Sequence, residues 1–133
     1  MEYEIIAVKP GEDLGEVIKL RQEIFYESED ELDEMGISLL MTEQGKSVAI
    51  GRILLDMESD RLIIDQIGVT EGIRRQGIGE RMLDELIKIA RESQAEEVWA
   101  KPKKNEAIIA MLKKHGFDEL NPYWMSVDMP YYR

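Results

Sequence analysis

The chain has no cysteine and a single histidine, His115. Disulfides, thiolate metal sites and a cysteine nucleophile are therefore excluded, and no imidazole pair exists to hold a metal, so none is expected. No apolar run approaches the roughly 20 residues that cross a bilayer, so no membrane role is expected. The N-terminus, Met1-Glu2-Tyr3-Glu4, lacks the basic and apolar regions of a secretory signal, which with the absence of cysteine favours the cytoplasm. Basic residues are the minority: 17 Lys and Arg stand against 28 Asp and Glu, for a formal net charge of −11. That balance argues against sequence-independent nucleic-acid binding, which needs clustered Lys and Arg. It serves solubility, and it would also steer a cationic substrate inward.

The 133 residues are 44% hydrophobic and 34% charged, which fits a soluble globular chain with one core and one domain over residues 1–133. Tyr3 to Val8 reads as a strand stopped by Pro10-Gly11. Asp13 then caps a helix with Leu14, Val17, Ile18, Ile24 and Phe25 on one face. In the segment Glu27 to Glu34 six of eight residues are acidic; this is either a solvated helix face or the lining of a site for a basic acceptor. Strands follow over Ile37–Thr42, Ser47–Asp56 and Arg61–Val69, with turns at Gln44-Gly45-Lys46 and Glu58-Ser59-Asp60. A helix over Glu80–Arg91, a strand at Glu97–Ala100 and a helix capped by Asn105 and running to Lys114 come next. Short strands near Phe117–Glu119 and Trp124–Val127 close the chain. The expected architecture is α+β: a mostly antiparallel sheet of six to seven strands, with one right-handed βαβ crossover and helices on both faces.

The most informative stretch is Arg74-Arg75-Gln76-Gly77-Ile78-Gly79. It joins an apolar strand to a helix start. First-turn N–H groups lack intrahelical partners and sit at the positive end of the helix dipole, and glycine admits a phosphate close to the main chain. Strand, basic glycine turn and helix start together form an anion cradle, and a ligand with a diphosphate is the first hypothesis.

Arg74-x-x-Gly77-x-Gly79 after Val69, with Asn105, Ala107 and the ending Lys113-Lys114-His115-Gly116-Phe117, resembles the GCN5-related N-acetyltransferases, in element order as well as motif. The resemblance implies acetyl-coenzyme A as donor and an amine, on a small molecule or a protein, as acceptor. It places the diphosphate on the backbone from Arg75 to Gly79, next to Arg74. It lays the pantetheine arm along Ile67, Gly68 and Val69, in a slot where strands four and five splay apart, with Asn105 on the far side. Leu20-Arg21-Gln22-Glu23-Ile24-Phe25 and the acidic stretch after it are similar to one acetyltransferase subgroup and name no acceptor.

The chemistry would be direct transfer from thioester to neutral amine. A backbone N–H at Gly68 or Val69 would face the oxyanion. Asp65 is the candidate base: it lies four residues before Val69 and so, in an unbroken strand, on that residue's face. The alternative is a buried, hydrogen-bonded Asp with no catalytic part. The family often carries a tyrosine acid seven residues after the Asn; here that position is Leu112, which leaves Tyr123, Tyr131 or Tyr132 as substitutes. Glu71 and Ile73 also depart from the pattern, at a frequent proline and a frequent aromatic. His115 suits a helix C-terminus, and the sequence shows no carboxylate to orient it. Trp99 and Trp124 read as packing residues. Tyr131 and Tyr132 would suit a homodimer contact. A non-catalytic acyl-coenzyme A sensor and a nucleotide phosphate-binding domain are the rival readings.

Overall fold

Among the described residues, short apolar runs build seven strands and 3.6-residue periodicity builds three helices. The structure is a computed structural model and describes residues 3–25, 31–56, 61–70, 77–103 and 105–129. The strands are β1 (Glu4–Val8), β2 (Gly36–Glu43), β3 (Lys46–Asp56), β4 (Arg61–Val69), β5 (Glu97–Ala100), β6 (Asp118–Glu119) and β7 (Met125–Asp128). The helices are α1 (Gly15–Phe25), α2 (Ile78–Glu92) and α3 (Glu106–Lys114). The sheet order is β1-β2-β3-β4-β5-β7-β6. Only β4 and β5 run parallel; every other neighbouring pair is antiparallel. This is the mixed architecture expected from the sequence. Part of the acidic segment, the turn at 58–60, Glu71, Ile73, Tyr131 and Tyr132 lie outside the described residues.

Helix α2 carries the core. Its Met82, Leu83, Leu86, Ile87 and Ala90 are all buried, against Ile53, Ile64, Val98 and Phe117. Each such Leu or Ile side chain contributes about 1.5–3 kcal/mol by leaving water. Helix α1 covers the other face through a smaller cluster of Leu20, Leu40 and Ile50, with Ile24 and Phe25 beside it. The Asp13 carboxylate accepts the Gly15 N–H at 2.8 Å where α1 begins. Asn105 caps α3 as expected, accepting the Ile108 N–H at 3.1 Å. No described helix is long and apolar enough to cross a membrane.

Two irregularities of β4 position everything else. The first is a β-bulge. Arg52 stands opposite Asp65, but Ile50 stands opposite Gly68, so β4 holds one residue more than β3 over this span. Gln66 sits there with φ 54°, a left-handed conformation that costs a non-glycine residue on the order of 1–3 kcal/mol. The second is an early parting from β5. The parallel register covers Leu62↔Val98, Ile63↔Trp99 and Ile64↔Ala100, and ends with the Lys101 N–H donating to the Ile64 carbonyl at 3.1 Å. From there β4 runs on to Val69 with no described strand along that edge.

Candidate active site

The bulge decides what faces what. Strand β3 is regular against β2 from Ala49 to Leu54, so Ala49 and Arg52, three residues apart, face opposite sides. Val69 pairs with Ala49, and Asp65 pairs with Arg52. Asp65 and Val69 therefore lie on opposite faces of the sheet. This corrects the expectation from simple alternation; the extra residue in β4 inverts the parity.

Asp65 is also fully engaged. Arg52 Nε and Nη2 donate to its two carboxylate oxygens at 2.8 and 2.6 Å. Arg52 Nη1 donates to Asp33 at 3.1 Å, and Asp33 takes a second fork from Arg21 at 2.8 and 3.0 Å. The four side chains form a buried chain of alternating charge, Arg21–Asp33–Arg52–Asp65, and none is more than 9% exposed. It ties α1 and the 3₁₀ turn Glu31–Glu34 to the middle of the sheet. Such pairs are strong because each fork satisfies both oxygens. Asp33, within the acidic run, thus belongs to the interior. The structural reading of Asp65 is the one this geometry favours.

Burial pushes the Asp33 carboxyl upward, but hydrogen bonds and charge from Arg21 and Arg52 outweigh it and hold the group below the ordinary aspartate value. A depressed folded pKa contributes stability above the unfolded value of about 3.9, and that contribution is lost as pH falls through the folded value. Asp33→Asn should therefore destabilise the protein at neutral pH, and the gap to the parent should close in acid below pH about 4. Thermal melts across that range check it; a gap independent of pH would contradict it.

The cradle begins at Gly77, whose φ of 77° suits glycine. It precedes α2 with no side-chain cap. The first helical bond runs from the Arg81 N–H to the Gly77 carbonyl at 3.1 Å, so the N–H groups of Ile78, Gly79 and Glu80 stand ahead of the ladder. A Cβ built on Gly77 would meet no described residue other than its chain neighbours within 4 Å, and one on Gly79 would lie 3.6 Å from Val69 Cγ2 and 3.5 Å from Met111 Sδ. The first turn of α2 thus abuts the end of β4. Arg74, Arg75 and Gln76 lie outside the described residues.

Glu80 places a carboxylate in that first turn, and Lys114 Nζ covers it at 2.8 Å. This hydrogen bond and the ammonium charge lower the Glu80 carboxyl and raise the Lys114 ammonium relative to their ordinary values. One turn on, His115 Nε2 lies 2.8 Å from Asp84 and Nδ1 lies 2.9 Å from the Met111 carbonyl. The carboxylate that the sequence did not reveal beside His115 is Asp84, and the contact links α3 to α2. Leu112 is wholly buried in the core.

Where β5 leaves β4 a small cleft opens, with a volume of about 90 Å³. Gln66, Ile67 and Phe25 form one wall, and Pro102, Asn105 and Ile108 the other. Asn105 spends its carbonyl oxygen on capping α3, which leaves its NH₂ as a donor. Gly68 lies at the bottom of α1: a Cβ there would stand 2.7 Å from both Ile24 Cγ2 and Phe25 Cζ. Only glycine admits the close approach of α1 to β4. The expected site residues Ile67, Gly68, Val69, Gly77, Ile78, Gly79 and Asn105 thus surround the parting of β4 from β5, whereas Asp65 faces away into the ion-pair chain.

The sequence marks Lys101 and Lys103 only as basic residues after a strand, near the proposed phosphate site; in the structure both line the cleft. Lys103 Nζ donates to Gln66 Oε1 at 2.9 Å and sits 4.4 Å from the centre of the Phe25 ring. Tyr123 lines a neighbouring recess with both lysines. Trp99 and Trp124 pack on each other at 5.5 Å, with the Arg61 guanidinium 4.1 Å over Trp99.

The same fold recurs in known proteins. The ribosomal-protein-S18-alanine N-acetyltransferase from Escherichia coli superposes with a TM-score of 0.78 at 19% identity, over 96% of this chain and 94% of that one. An acyl-CoA N-acyltransferase from Pseudomonas aeruginosa gives 0.77 at 19%, over 94% and 99%. A GNAT family acetyltransferase from Elizabethkingia anophelis with acetyl-CoA bound gives 0.75 at 14%, over 95% and 97%. No curated protein matches the chain in sequence. The family model for acetyltransferases of the GNAT family matches residues 8–117. A match over most of its length, on a sheet that opens beside a glycine-headed helix, shows that this chain belongs to the GNAT acetyltransferase family.

Proposed function

We propose that the protein transfers the acetyl group of acetyl-coenzyme A directly to a primary amine. The observation that carries this is the parting of β4 from β5 beyond Ile64, along which no described strand runs, with the end of β4 against the first turn of α2. An extended arm can hydrogen-bond to such an edge as an added strand. The diphosphate at its other end suits the N–H groups of Ile78 and Gly79, with Gly77 giving access. Arg74, Arg75 and Gln76 would complete that cradle. The Asn105 NH₂ would donate to the arm from the opposite wall.

In the reaction the amine nitrogen attacks the thioester carbonyl. A C–N bond forms, the C–S bond breaks, the amine gives up one proton and the departing thiolate gains one. A main-chain N–H at Gly68 or Val69 would stabilise the oxyanion, a contribution on the order of 3 kcal/mol to the barrier. Asp65 takes no part in this reading, because both its oxygens are held by Arg52. The amine proton passes to water in the open cleft. Tyr123, exposed at the rim, is the acid candidate in place of the buried Leu112.

Incubation with acetyl-coenzyme A and a panel of amines should release free thiol in an amine-dependent way. Calorimetry should show coenzyme A binding. Tight binding with no turnover on any amine would replace this reading with that of an acyl-coenzyme A sensor, and no binding at all would remove both.

A further inference from the structure

We infer that Lys114 is a positioning residue for the donor: it neutralises the Glu80 carboxylate and holds it away from the main-chain N–H groups that take the diphosphate. The inference rests on the donor site proposed above and adds what keeps that site free for an anion. Glu80 stands three residues after Gly77, the residue that precedes α2. A glutamate at that place commonly turns back to the N–H three residues earlier. The helix dipole favours a carboxylate there as well. Both tendencies direct Glu80 to the cradle. In a chain whose net charge is −11, one more negative charge beside an anion site works against a polyanionic donor.

The carboxylate is turned aside instead. Glu80 Oε1 accepts from Lys114 Nζ at 2.8 Å, and Lys114 projects from the last turn of α3. Hydrogen bond and charge act on both partners, holding the Glu80 carboxyl below and the Lys114 ammonium above their ordinary values. Two further contacts seat α3 at this place. His115 Nε2 lies 2.8 Å from Asp84, which is one helical turn after Glu80 and on the same side of α2. Met111 Sδ would lie 3.5 Å from a Cβ on Gly79. The end of α3 thus rests on the first two turns of α2 and delivers Lys114 to Glu80. The two side chains are 69% and 41% exposed, and an ion pair so open to water contributes little to folding. Its effect falls on the cradle. Lys113, one residue earlier, supplies the comparison. It pairs with Glu119 of β6 at 2.9 Å, and both side chains are again more than half exposed.

Calorimetry with coenzyme A tests the inference. Lys114→Met should raise Kd about three- to tenfold, within the range of one charge near a helix N-terminus. Lys114→Arg should keep the parent's affinity. Adding Glu80→Ala to Lys114→Met should return Kd to within about twofold of the parent, because the competing carboxylate is gone. Lys113→Met removes the same charge from an exposed pair and should leave Kd unchanged. Melting temperatures should change little across the set. A loss that persists in the double variant overturns the inference, since Lys114 would then touch the donor or brace α3 without regard to Glu80. A Lys114→Met variant that binds like the parent overturns it too, as does a Lys113→Met variant that loses as much. Each of these outcomes leaves the donor reading standing. A parent that binds no coenzyme A overturns both.

Discussion

Replacing Arg52 with methionine should lower folding stability by about 3–5 kcal/mol, the cost of leaving a buried ion pair with one partner. The reason is the position of Arg52 in the buried chain. Among the described residues it is the only cation paired with Asp65, and it shares Asp33 with Arg21. Asp65 would then be a buried carboxylate with no described guanidinium beside it. A domain of this size should melt roughly 10–20 °C lower. Asp65→Asn should also destabilise, since an amide cannot accept both donors of the fork. The shape of its pH–rate profile should stay that of the parent. A variant of normal stability but altered pH profile would return Asp65 to the mechanism. Circular-dichroism melts and thiol release over a pH series decide between the two.

Gly77→Glu should abolish measurable coenzyme A binding at micromolar protein while leaving the core intact. Two effects add. A side chain at φ 77° is strained, by about 1–3 kcal/mol, and a carboxylate would compete for the same N–H groups that the diphosphate needs. Among the described residues, its chain neighbours aside, none lies within 4 Å of a Cβ at that position. Gly77→Asn is the control, since Asn tolerates the left-handed region and adds no charge; it should retain most of the affinity. Calorimetry with coenzyme A reads both. Equal affinity for Gly77→Glu and the parent would remove the diphosphate from this helix start.

The sequence carried the element order because periodicity and punctuation agreed. The bounds of β4 and β5, the Asn105 cap and the glycine before α2 all follow from local chemistry. The bulge was not legible. Bulges at positive φ are signalled by glycine, and here the residue is Gln66, supported by the distant Lys103. Missing it placed Asp65 on the wrong face. The ion-pair chain did leave a signal: Arg52 and Asp65 are the charged residues at the middle of two apolar strands. A hairpin centred on residues 58 and 59 would already have set them opposite one another. Lys101 and Lys103 were invisible as cleft residues, since only the parting of β4 from β5 makes that end of the sheet a cavity.

The seam between β4 and β5 is three registered pairs long, and it is all that stitches β1–β4 to β5, β7 and β6 within the sheet. The protein is in effect two half-sheets left partly unzipped, with α2 strapped across the join. A guest lying in the open part, as proposed for the donor's arm, would add rungs there and close the zipper. Donor recognition and completion of the fold would then be one event, and the molecule should become most rigid at the moment it is loaded.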